Sequence, residues 1–148
     1  MLSAYQLPKV AGKESQANII DPYVVVDVLG VPADTRTERT TYRKDQGLHP
    51  VWKHQMTFDL HVPALAVVRF AVYDHQNPPH KDLLVGSFCM RAQAIRVGLR
   101  TVPVVKPDGN KDPFARLFLL VRLEDGAGKP ALWDVRYPEV EEIKSSTA

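Results

Sequence analysis

Acidic side chains stand at the ends of strand-like runs in this sequence. The stretch from Asp74 to Gly86 reads DHQNPPHKDLLVG, follows the run VVRFAVY without a gap, and carries Asp74 and Asp82 eight positions apart. Asp21 lies directly before another strand-like run. A hard cation such as calcium needs several oxygen ligands from separate loops, so the three aspartates are the strongest candidate for a metal site. The alternative is a plain polar turn, because Asp followed by Pro, as at position 21, is also a common turn former.

A second candidate site is basic. One polar segment and the residues after it carry Arg36, Arg39, Arg43, Lys44 and Lys53, and the first loop adds Lys9 and Lys13. Such a cluster would attract an anionic membrane leaflet by about 1 kcal/mol per charge. The alternative is a solvated sheet edge whose charges oppose aggregation, and Glu38 within the cluster reduces its positive charge.

Residues that would support catalysis are missing from the sequence. It contains no Gly-rich phosphate loop, no paired-Cys zinc pattern and no serine in a glycine-flanked turn. The five histidines are scattered, and His54 and His61 fall on polar positions where a solvated surface is expected. We therefore predict no catalytic residues and no organic cofactor in this chain.

Composition limits the remaining possibilities. With 148 residues, 45% of them hydrophobic and 24% charged, the chain fits one globular domain plus a tail. Its net charge of +2 gives, from charge alone, little reason to expect nucleic-acid binding. The single cysteine, Cys89, excludes an internal disulfide and is expected to be buried, which fits a reducing compartment. No run approaches the roughly 20 apolar residues that a bilayer span requires, so a soluble or peripheral protein is expected.

The sequence predicts that strands position the candidate site residues. Alternating apolar and polar residues predict a half-buried strand in QMTFDLHV (55–62), with Met56, Phe58, Leu60 and Val62 on one face. Further strands are predicted in YVVVDVLG, VVRFAVYD, RTVPVV and ARLFLLVRLED, and RTERTTYRK is expected to be an edge strand. RAQAIRVG offers one helical turn. Short strands separated by frequent turns indicate a two-sheet sandwich. From Gly126 the composition changes to a Gly-, Pro- and Glu-containing tail, which Trp133 and Tyr137 would dock.

Several longer sequence segments resemble those of a known family. They are QLPK (6–9), IIDPYVVVDVLGVPADT (19–35), GLHPVW (47–52), FDLHVPALAVVRFAVYDH (58–75) and VGSF (85–88). In order and spacing, over roughly residues 3–124, they resemble the C2 domain of phosphoinositide-specific phospholipase C. The resemblance implies an eight-stranded antiparallel C2-type β-sandwich over 1–125, followed by a C-terminal tail over 126–148. It also implies that residue 1 falls inside the first strand, which would be truncated. Pro50 is expected to shape a turn and Trp52 to pack as a strand begins, so His49 is given a structural role.

The resemblance assigns the candidate metal ligands by position. Asp21 matches the first-loop aspartate of the family, and Asp74 matches the first member of an Asp-x-Asp pair, whose second place is taken by Gln76. Asp82 keeps the eight-residue offset from Asp74 but stands four steps before Gly86, where the family usually has three. Fewer carboxylates mean weaker binding of a divalent cation. We therefore expect calcium binding through these four residues to be weak or lost.

The resemblance also implies a function and partners. Phospholipases of this family hydrolyse phosphatidylinositol bisphosphate to inositol trisphosphate and diacylglycerol in a separate barrel domain, which this chain lacks. The expected role is peripheral association with phospholipid membranes at the cytoplasmic side. Its candidate lipid contacts are Ile19, Ile20, Leu83, Leu84, Arg39, Arg43 and Lys44, although the four apolar residues are equally compatible with buried strand ends. The alternative role is a structural brace that packs on a catalytic barrel without binding lipid.

Overall fold

Eight antiparallel strands form the regular structure of the residues described here. The computed structural model describes residues 2–10 and 19–133. The strands are β1 (Leu2–Tyr5), β2 (Pro22–Leu29), β3 (Arg36–Arg39), β4 (Val51–Trp52), β5 (Val67–Asp74), β6 (Leu83–Arg91), β7 (Gly98–Val105) and β8 (Lys111–Val121). Two short 3-10 helices, Pro63–Leu65 and Ala92–Ala94, precede β5 and β7. The predicted all-β fold is confirmed.

The strands form one curled sheet that closes on itself as a sandwich. Their order is β3-β2-β5-β6-β7-β8-β1-β4. β6 and β7 share a single residue pair, Ser87 with Val105, whereas β2 and β5 pair along their full length. The first four strands in that order make one layer and the last four make the other. Buried side chains from both layers form one core, because β-branched residues on alternate positions turn one face of each layer inward. The predicted eight-stranded sandwich is confirmed.

Gly86 lies where the two layers meet. A Cβ at this position would lie 2.6 Å from Val104 Cγ1 and 2.7 Å from the main-chain oxygen of Val105. The ladder between β5 and β6 also shifts register next to it, so that Val85 is an extra residue between the pairs Val72–Gly86 and Tyr73–Leu84. A β-bulge increases local twist and bends the strand, and the missing side chain allows β7 to approach at the bend.

Most of the predicted strands are present. YVVVDVLG, VVRFAVYD, RTVPVV and ARLFLLVRLED correspond to β2, β5, β7 and β8, and the polar segment corresponds to β3 at the sheet edge, where it ends at Arg39. The helical turn predicted in RAQAIRVG is the 3-10 helix Ala92–Ala94. β1, β4 and β6 were not predicted as strands from the sequence pattern.

The strand predicted over 55–62 is wrong. Residues 53–60 carry no strand assignment, and within the described chain no ladder pairs with them. The predicted alternation is nevertheless present, because Met56, Phe58 and Leu60 are half-buried and pack against the core. The segment therefore covers the core without forming a ladder with a neighbouring strand.

Two expectations about single side chains have opposite outcomes. Trp52 is 1% exposed, and its indole N–H donates to the Pro22 main-chain oxygen at 3.2 Å, so its predicted packing role is confirmed. The expected burial of Cys89 is wrong, since this residue is exposed on β6. It pairs across the ladder with Arg69, on the face that points away from the core.

The chain after β8 folds back in a hairpin. Glu124 pairs with Pro130, and the Asp125 N–H donates to Lys129 O at 2.8 Å. Trp133 packs against the core, and its indole N–H donates to Ile95 O at 2.6 Å, which agrees with the docking role predicted for it. Tyr137 lies outside the described residues, and the domain boundary between 125 and 126 stays a prediction.

Candidate functional site

Strand register brings the predicted acidic residues to one end of the sandwich. Pro22 at the start of β2 pairs with Asp74 at the end of β5, and Asp74 pairs with Leu83 at the start of β6. Asp21 and Asp82 directly precede these two strand starts. The loop segments that meet here contain residues 6–10, 19–21, 40–50 and 75–82, and we call this the loop end. Lys13, part of the predicted basic cluster, lies outside the described residues.

Asp74 is satisfied by donors from the protein. It is 8% exposed. Its Oδ1 accepts the Asp21 main-chain N–H at 2.8 Å, and its Oδ2 accepts the Gln76 side-chain amide at 2.9 Å. The same amide nitrogen lies 3.2 Å from the His75 main-chain oxygen. Both neighbours of this nitrogen are acceptors, so the nitrogen rather than the carbonyl oxygen of Gln76 faces the carboxylate.

Asp82 is satisfied in a similar way. It accepts the Tyr23 hydroxyl at 2.6 Å and the Gln76 main-chain N–H at 2.9 Å, and His75 Nδ1 lies 3.2 Å from Asp82 Oδ1. Burial acts to raise the pKa of Asp82, but these hydrogen bonds and the neighbouring His75 outweigh it and hold that pKa below its usual range. Burial, together with the hydrogen bond to Asp82 and its charge, raises the pKa of Tyr23 to about 12.

Asp21 connects two loops of this end. Its Oδ1 accepts the Asp45 main-chain N–H at 2.7 Å, and its main-chain oxygen accepts the His75 N–H at 3.0 Å. The His75 ring stacks on Tyr42 with ring centroids 4.2 Å apart. Asp21 therefore joins the loop before β2 to the loops before β4 and after β5.

These residues do not fit a resident calcium ion. The ion would require oxygen atoms pointing at a common centre, whereas Asp74 and Asp82 accept N–H and O–H donors and Gln76 presents its amide nitrogen. Among the described residues, no group of three or more His, Cys, Asp or Glu side chains is arranged to hold a metal ion. The register gathers the predicted ligands at one end, and hydrogen bonds within the protein occupy them.

Two exposed apolar side chains stand beside this acidic cluster. Ile19 is 54% exposed and Leu48 is 66% exposed, and both line a groove of about 450 Å³. Leu48 is held by its main-chain oxygen, which accepts the Gln6 N–H at 2.7 Å. The sequence pattern did not single out Leu48, because an apolar residue in a turn-rich segment gives no periodic signal.

The other predicted lipid contacts are more enclosed. Ile20 is 6% exposed and belongs to the core. Leu83 and Leu84 are half-buried at the start of β6. The alternative assignment to a buried strand end therefore describes Ile20, and lipid contact stays a prediction for the remaining residues.

The basic residues are distributed along β3 and the loop after it. Arg39 is exposed, with its guanidinium carbon 6.0 Å from the Tyr23 ring centroid. Lys44 is exposed and Arg43 is half-buried, and within the described chain the Nε atom of Arg43 is buried without a hydrogen-bond partner. Arg36 pairs with Glu38 at 2.6 Å, so part of the predicted positive charge is compensated.

Asp34 has a structural role that the sequence pattern did not reveal. It is 2% exposed and accepts the main-chain N–H groups of His61 and Val62, each at 2.8 Å. Its Oδ1 also lies 2.8 Å from His61 Nδ1. The hydrogen bonds from His61 and Val62 hold the pKa of Asp34 below its usual range. The motif GVPADT contained this residue, but only the fold shows that it fixes the segment before β5.

Comparisons with known proteins agree on one family. The family model described as the C2 domain matches residues 1–105. The chain is 37% identical over 127 residues to 1-phosphatidylinositol 4,5-bisphosphate phosphodiesterase delta-4 of Xenopus laevis, covering 86% of this chain and 16% of that protein. It is 35% identical over 124 residues to the human delta-3 protein, covering 84% and 16%. It is 31% identical over 132 residues to the mouse inactive phospholipase C-like protein 2, covering 88% and 12%. The chain thus spans about a sixth or less of these relatives' length.

Solved structures share the fold. The crystal structure of S. officinalis PLC21 matches with a TM-score of 0.65 and 24% identity, covering 99% of this chain and 16% of that one. The crystal structure of L. pealei PLC21 matches with a TM-score of 0.63 and 24% identity, covering 80% and 14%. A C2 domain of plant extended synaptotagmin 1 matches with a TM-score of 0.55 and 16% identity, covering 80% and 91%. No helix among the described residues is long and apolar enough to cross a bilayer.

Proposed function

Because this chain belongs to the C2 domain family, we propose that it associates with phospholipid membranes through its loop end without depending on bound calcium. Its relatives include proteins named 1-phosphatidylinositol 4,5-bisphosphate phosphodiesterase. We extend the proposal to a peripheral membrane role at the cytoplasmic side, in a protein of the phosphoinositide phospholipase C type. Hydrolysis of the lipid would then belong to a barrel domain other than the sandwich.

One observation supports the proposal that membrane association does not depend on calcium. Asp74 and Asp82 accept hydrogen bonds from Gln76 and Tyr23 at 2.6–2.9 Å. A calcium ion would compete with these donors for the carboxylate oxygens. Each lost hydrogen bond to a charged group costs about 1.5–3 kcal/mol. The native loop end is therefore held in place by its own side chains, and calcium has little additional free energy to contribute.

Exposed apolar and basic residues support lipid contact. Full burial of a Leu or Ile side chain is worth about 1.5–3 kcal/mol, so partial burial of Ile19 and Leu48 in the interface contributes about 1 kcal/mol each. Arg39, Arg43 and Lys44 add about 1 kcal/mol each near an anionic surface. The sum of about 5 kcal/mol corresponds to a dissociation constant of roughly 0.2 mM. Attachment to another membrane-binding part of a longer protein would strengthen it through effective concentration.

The test is liposome co-sedimentation with matched variants. The purified chain is mixed with vesicles of phosphatidylcholine alone, or with added phosphatidylserine or phosphoinositide, in calcium and in chelator. The double variant Ile19→Ser, Leu48→Ser is compared with Leu29→Ser, Leu65→Ser. Leu29 is 50% exposed and Leu65 is 66% exposed, and both lie at the opposite end of the sandwich.

The proposal expects binding that is equal in calcium and chelator, reduced by the first double variant and unchanged by the control. Binding that requires calcium would contradict the hydrogen-bonding argument. Equal losses in the two double variants would show that general surface hydrophobicity, rather than the loop end, drives pelleting. Loss of binding at high salt would show that Arg39, Arg43 and Lys44 dominate over the apolar contacts.

A second candidate function is the structural brace, in which the sandwich packs on a catalytic barrel without binding lipid. An exposed apolar face on β7 and β8, which includes Leu99 at 79% and Leu120 at 41% exposure, favours it. Absence of pelleting with every lipid, combined with binding of the chain to a separately expressed phosphodiesterase barrel, would support the brace. Pelleting with the loop-end dependence described above would contradict it.

A further inference from the structure

The layer formed by β7, β8 and β1 has an apolar outer side. Leu117 and Leu119 of β8 are buried, so the residues that alternate with them, Phe118 and Leu120, point away from the core. Leu99 of β7 pairs directly with Leu120 and lies on the same side. Five residues between 40% and 79% exposed make up what we call the outer apolar face: Leu99, Phe114, Phe118, Leu120 and Tyr5.

The area of this face is sufficient for a modest dimer interface. An aromatic side chain has about 150–250 Å² of surface, so the exposed fractions of Phe114, Phe118 and Tyr5 amount to about 290 Å². The exposed parts of Leu99 and Leu120 add roughly 100 Å². Two such faces packed together would bury about 800 Å² of apolar surface. Because homodimer interfaces are about 65% apolar, the total would be about 1,200 Å², at the lower end of stable interfaces.

The charges along β8 have both signs. Lys111 and Asp112 lie at the start of the strand, Arg116 lies in its middle, and Arg122 and Glu124 follow its end. Lys111, Arg122 and Glu124 are exposed, whereas Asp112 and Arg116 are half-buried. A partner whose charges all had one sign would leave some of these groups opposite a like charge. The face is therefore better matched by a partner that is apolar in the middle and carries both signs around it.

A second copy of the same face meets this requirement when the two β8 strands run in opposite directions. Two sheets can pack face to face with their strands nearly aligned. A two-fold axis between them, at right angles to β8 and passing over Leu117, would place each residue opposite the one equally far beyond Leu117 in the second copy. Asp112 would then lie opposite the second copy's Arg122, and Phe114 opposite its Leu120.

The remaining positions along β8 also match under this axis. Arg116 would lie opposite the second copy's Phe118, and an arginine over an aromatic ring is a favourable contact. Lys111 would lie close to the second copy's Glu124. Opposite charges thus meet at both ends of the strand and apolar side chains meet between them, so the sequence of β8 is complementary to itself.

We propose that the chain forms a two-fold symmetric dimer in which the outer apolar faces of two copies pack together with their β8 strands antiparallel. An interface of this kind uses the same surface patch in both copies, which therefore has to be self-complementary. The inference goes beyond the lipid function, because it concerns the side of the sandwich rather than the loop end. A face used in this way is unavailable to a catalytic barrel, so the dimer and the brace exclude each other.

Sedimentation equilibrium of the full chain tests the proposal. The concentration is varied from about 1 to 300 µM, since an interface at the lower end of the size range is expected to be weak. We expect the mean mass to rise with concentration from that of one chain toward that of two. The variant Phe118→Ser, Leu120→Ser should keep the mass of one chain. Leu29→Ser, Leu65→Ser, which changes exposed apolar residues outside the face, should dimerise like the native chain.

Charge reversal tests the antiparallel arrangement. Asp112→Arg alone and Arg122→Asp alone should each raise the dissociation constant about tenfold, because each places like charges together at both ends of the interface. An equimolar mixture of the two variants should dimerise like the native chain, since one copy of each restores both opposite-charge contacts. This rescue also shows that both variants fold. Lys111→Glu and Glu124→Lys repeat the test without changing Asp112, whose carboxylate accepts the Phe114 N–H.

Each outcome decides the proposal. Dimerisation that Phe118→Ser, Leu120→Ser abolishes and that the mixture of charge-reversed chains restores supports it. The mass of a single chain at every concentration overturns it, as does a dimer that Phe118→Ser, Leu120→Ser leaves intact or that neither mixture rescues. A monomeric native chain that binds a separately expressed phosphodiesterase barrel through this face would assign the face to the brace instead. None of these outcomes depends on lipid, so failure here is distinguishable from failure of the membrane function.

Discussion

Replacement of Gln76 should convert the loop end into a calcium-dependent structure. In the native chain the Gln76 amide donates to Asp74 at 2.9 Å. The variant Gln76→Asp removes this donor and places a second carboxylate near a residue that is 8% exposed. Gln76→Asn has the same length as the Asp variant and no charge, so the difference between the two variants isolates the electrostatic effect.

The expected loss of stability has two contributions, a lost hydrogen bond and a repulsion between like charges. Loss of a hydrogen bond to a charged group lowers the free energy of unfolding by about 1.5–3 kcal/mol, and we expect this in Gln76→Asn. Two like charges about 4 Å apart repel by up to about 4 kcal/mol near a protein surface, so Gln76→Asp should lose roughly a further 2–4 kcal/mol in chelator. Calcium at a hundred times its dissociation constant restores about 2.7 kcal/mol.

Urea unfolding followed by tryptophan fluorescence measures these differences, because Trp52 is 1% exposed in the native chain. The native chain and Gln76→Asn should each have the same midpoint in calcium as in chelator. Gln76→Asp should have a lower midpoint in chelator and recover in calcium. Equal stability of the Asp and Asn variants in chelator, or a calcium effect on the native chain as large as on Gln76→Asp, would refute the reasoning.

Three further predictions concern other contacts. The pKa of Asp34 is lowered from 3.8 in the folded chain. Its stabilising effect is therefore present above about pH 4 and is lost as the pH falls through the lower folded value. In urea unfolding at acidic pH, the unfolding free energy should fall more steeply with decreasing pH for the native chain than for Asp34→Asn. Tyr23→Phe removes the 2.6 Å hydrogen bond to Asp82 and should cost about 1.5–3 kcal/mol in urea unfolding at neutral pH. Because the Tyr23 pKa is raised from 10.0 to about 12, the native chain should lose stability as pH rises through that range, and Tyr23→Phe should lack this component. Gly86→Ala places a Cβ 2.7 Å from the Val105 main-chain oxygen and should lower the unfolding free energy by about 1–3 kcal/mol; a thermal midpoint unchanged from the native chain would contradict this.

Sequence patterns predicted strands correctly where a continuous apolar run is the dominant signal. Runs of β-branched residues predicted β2 and β5, because a strand in the middle of a sheet is apolar over most of its length. The pattern over 55–62 correctly separated half-buried Met56 and Phe58 from exposed neighbours. It could not show whether a neighbouring main chain would be available for pairing, which depends on tertiary structure, and so the predicted strand was wrong.

The sequence predicted only part of the loop end, because the side-chain contacts there also depend on tertiary structure. Their positions at strand ends and the resemblance to a family identified Asp21, Asp74 and Asp82 as candidate metal ligands. The strand register places these residues together. No sequence signal reveals that the Gln76 amide nitrogen faces Asp74, since this depends on a side-chain torsion and on the His75 main-chain oxygen. Leu48 and Asp34 were missed because a single residue in a turn has no periodicity.

The pairing of β1 with β8 has a mechanical consequence. Leu2 lies opposite Leu119 and Tyr5 lies opposite Arg116, so tension applied at residues 2 and 133 would load the hydrogen bonds of this ladder one after another. Force applied at residues 2 and 111 would instead load them together in shear. Single-molecule stretching should therefore require less force in the first geometry than in the second, and equal forces would exclude β1 as the first strand to detach. Under tension between its ends, the domain should yield by peeling β1 from β8 and β4.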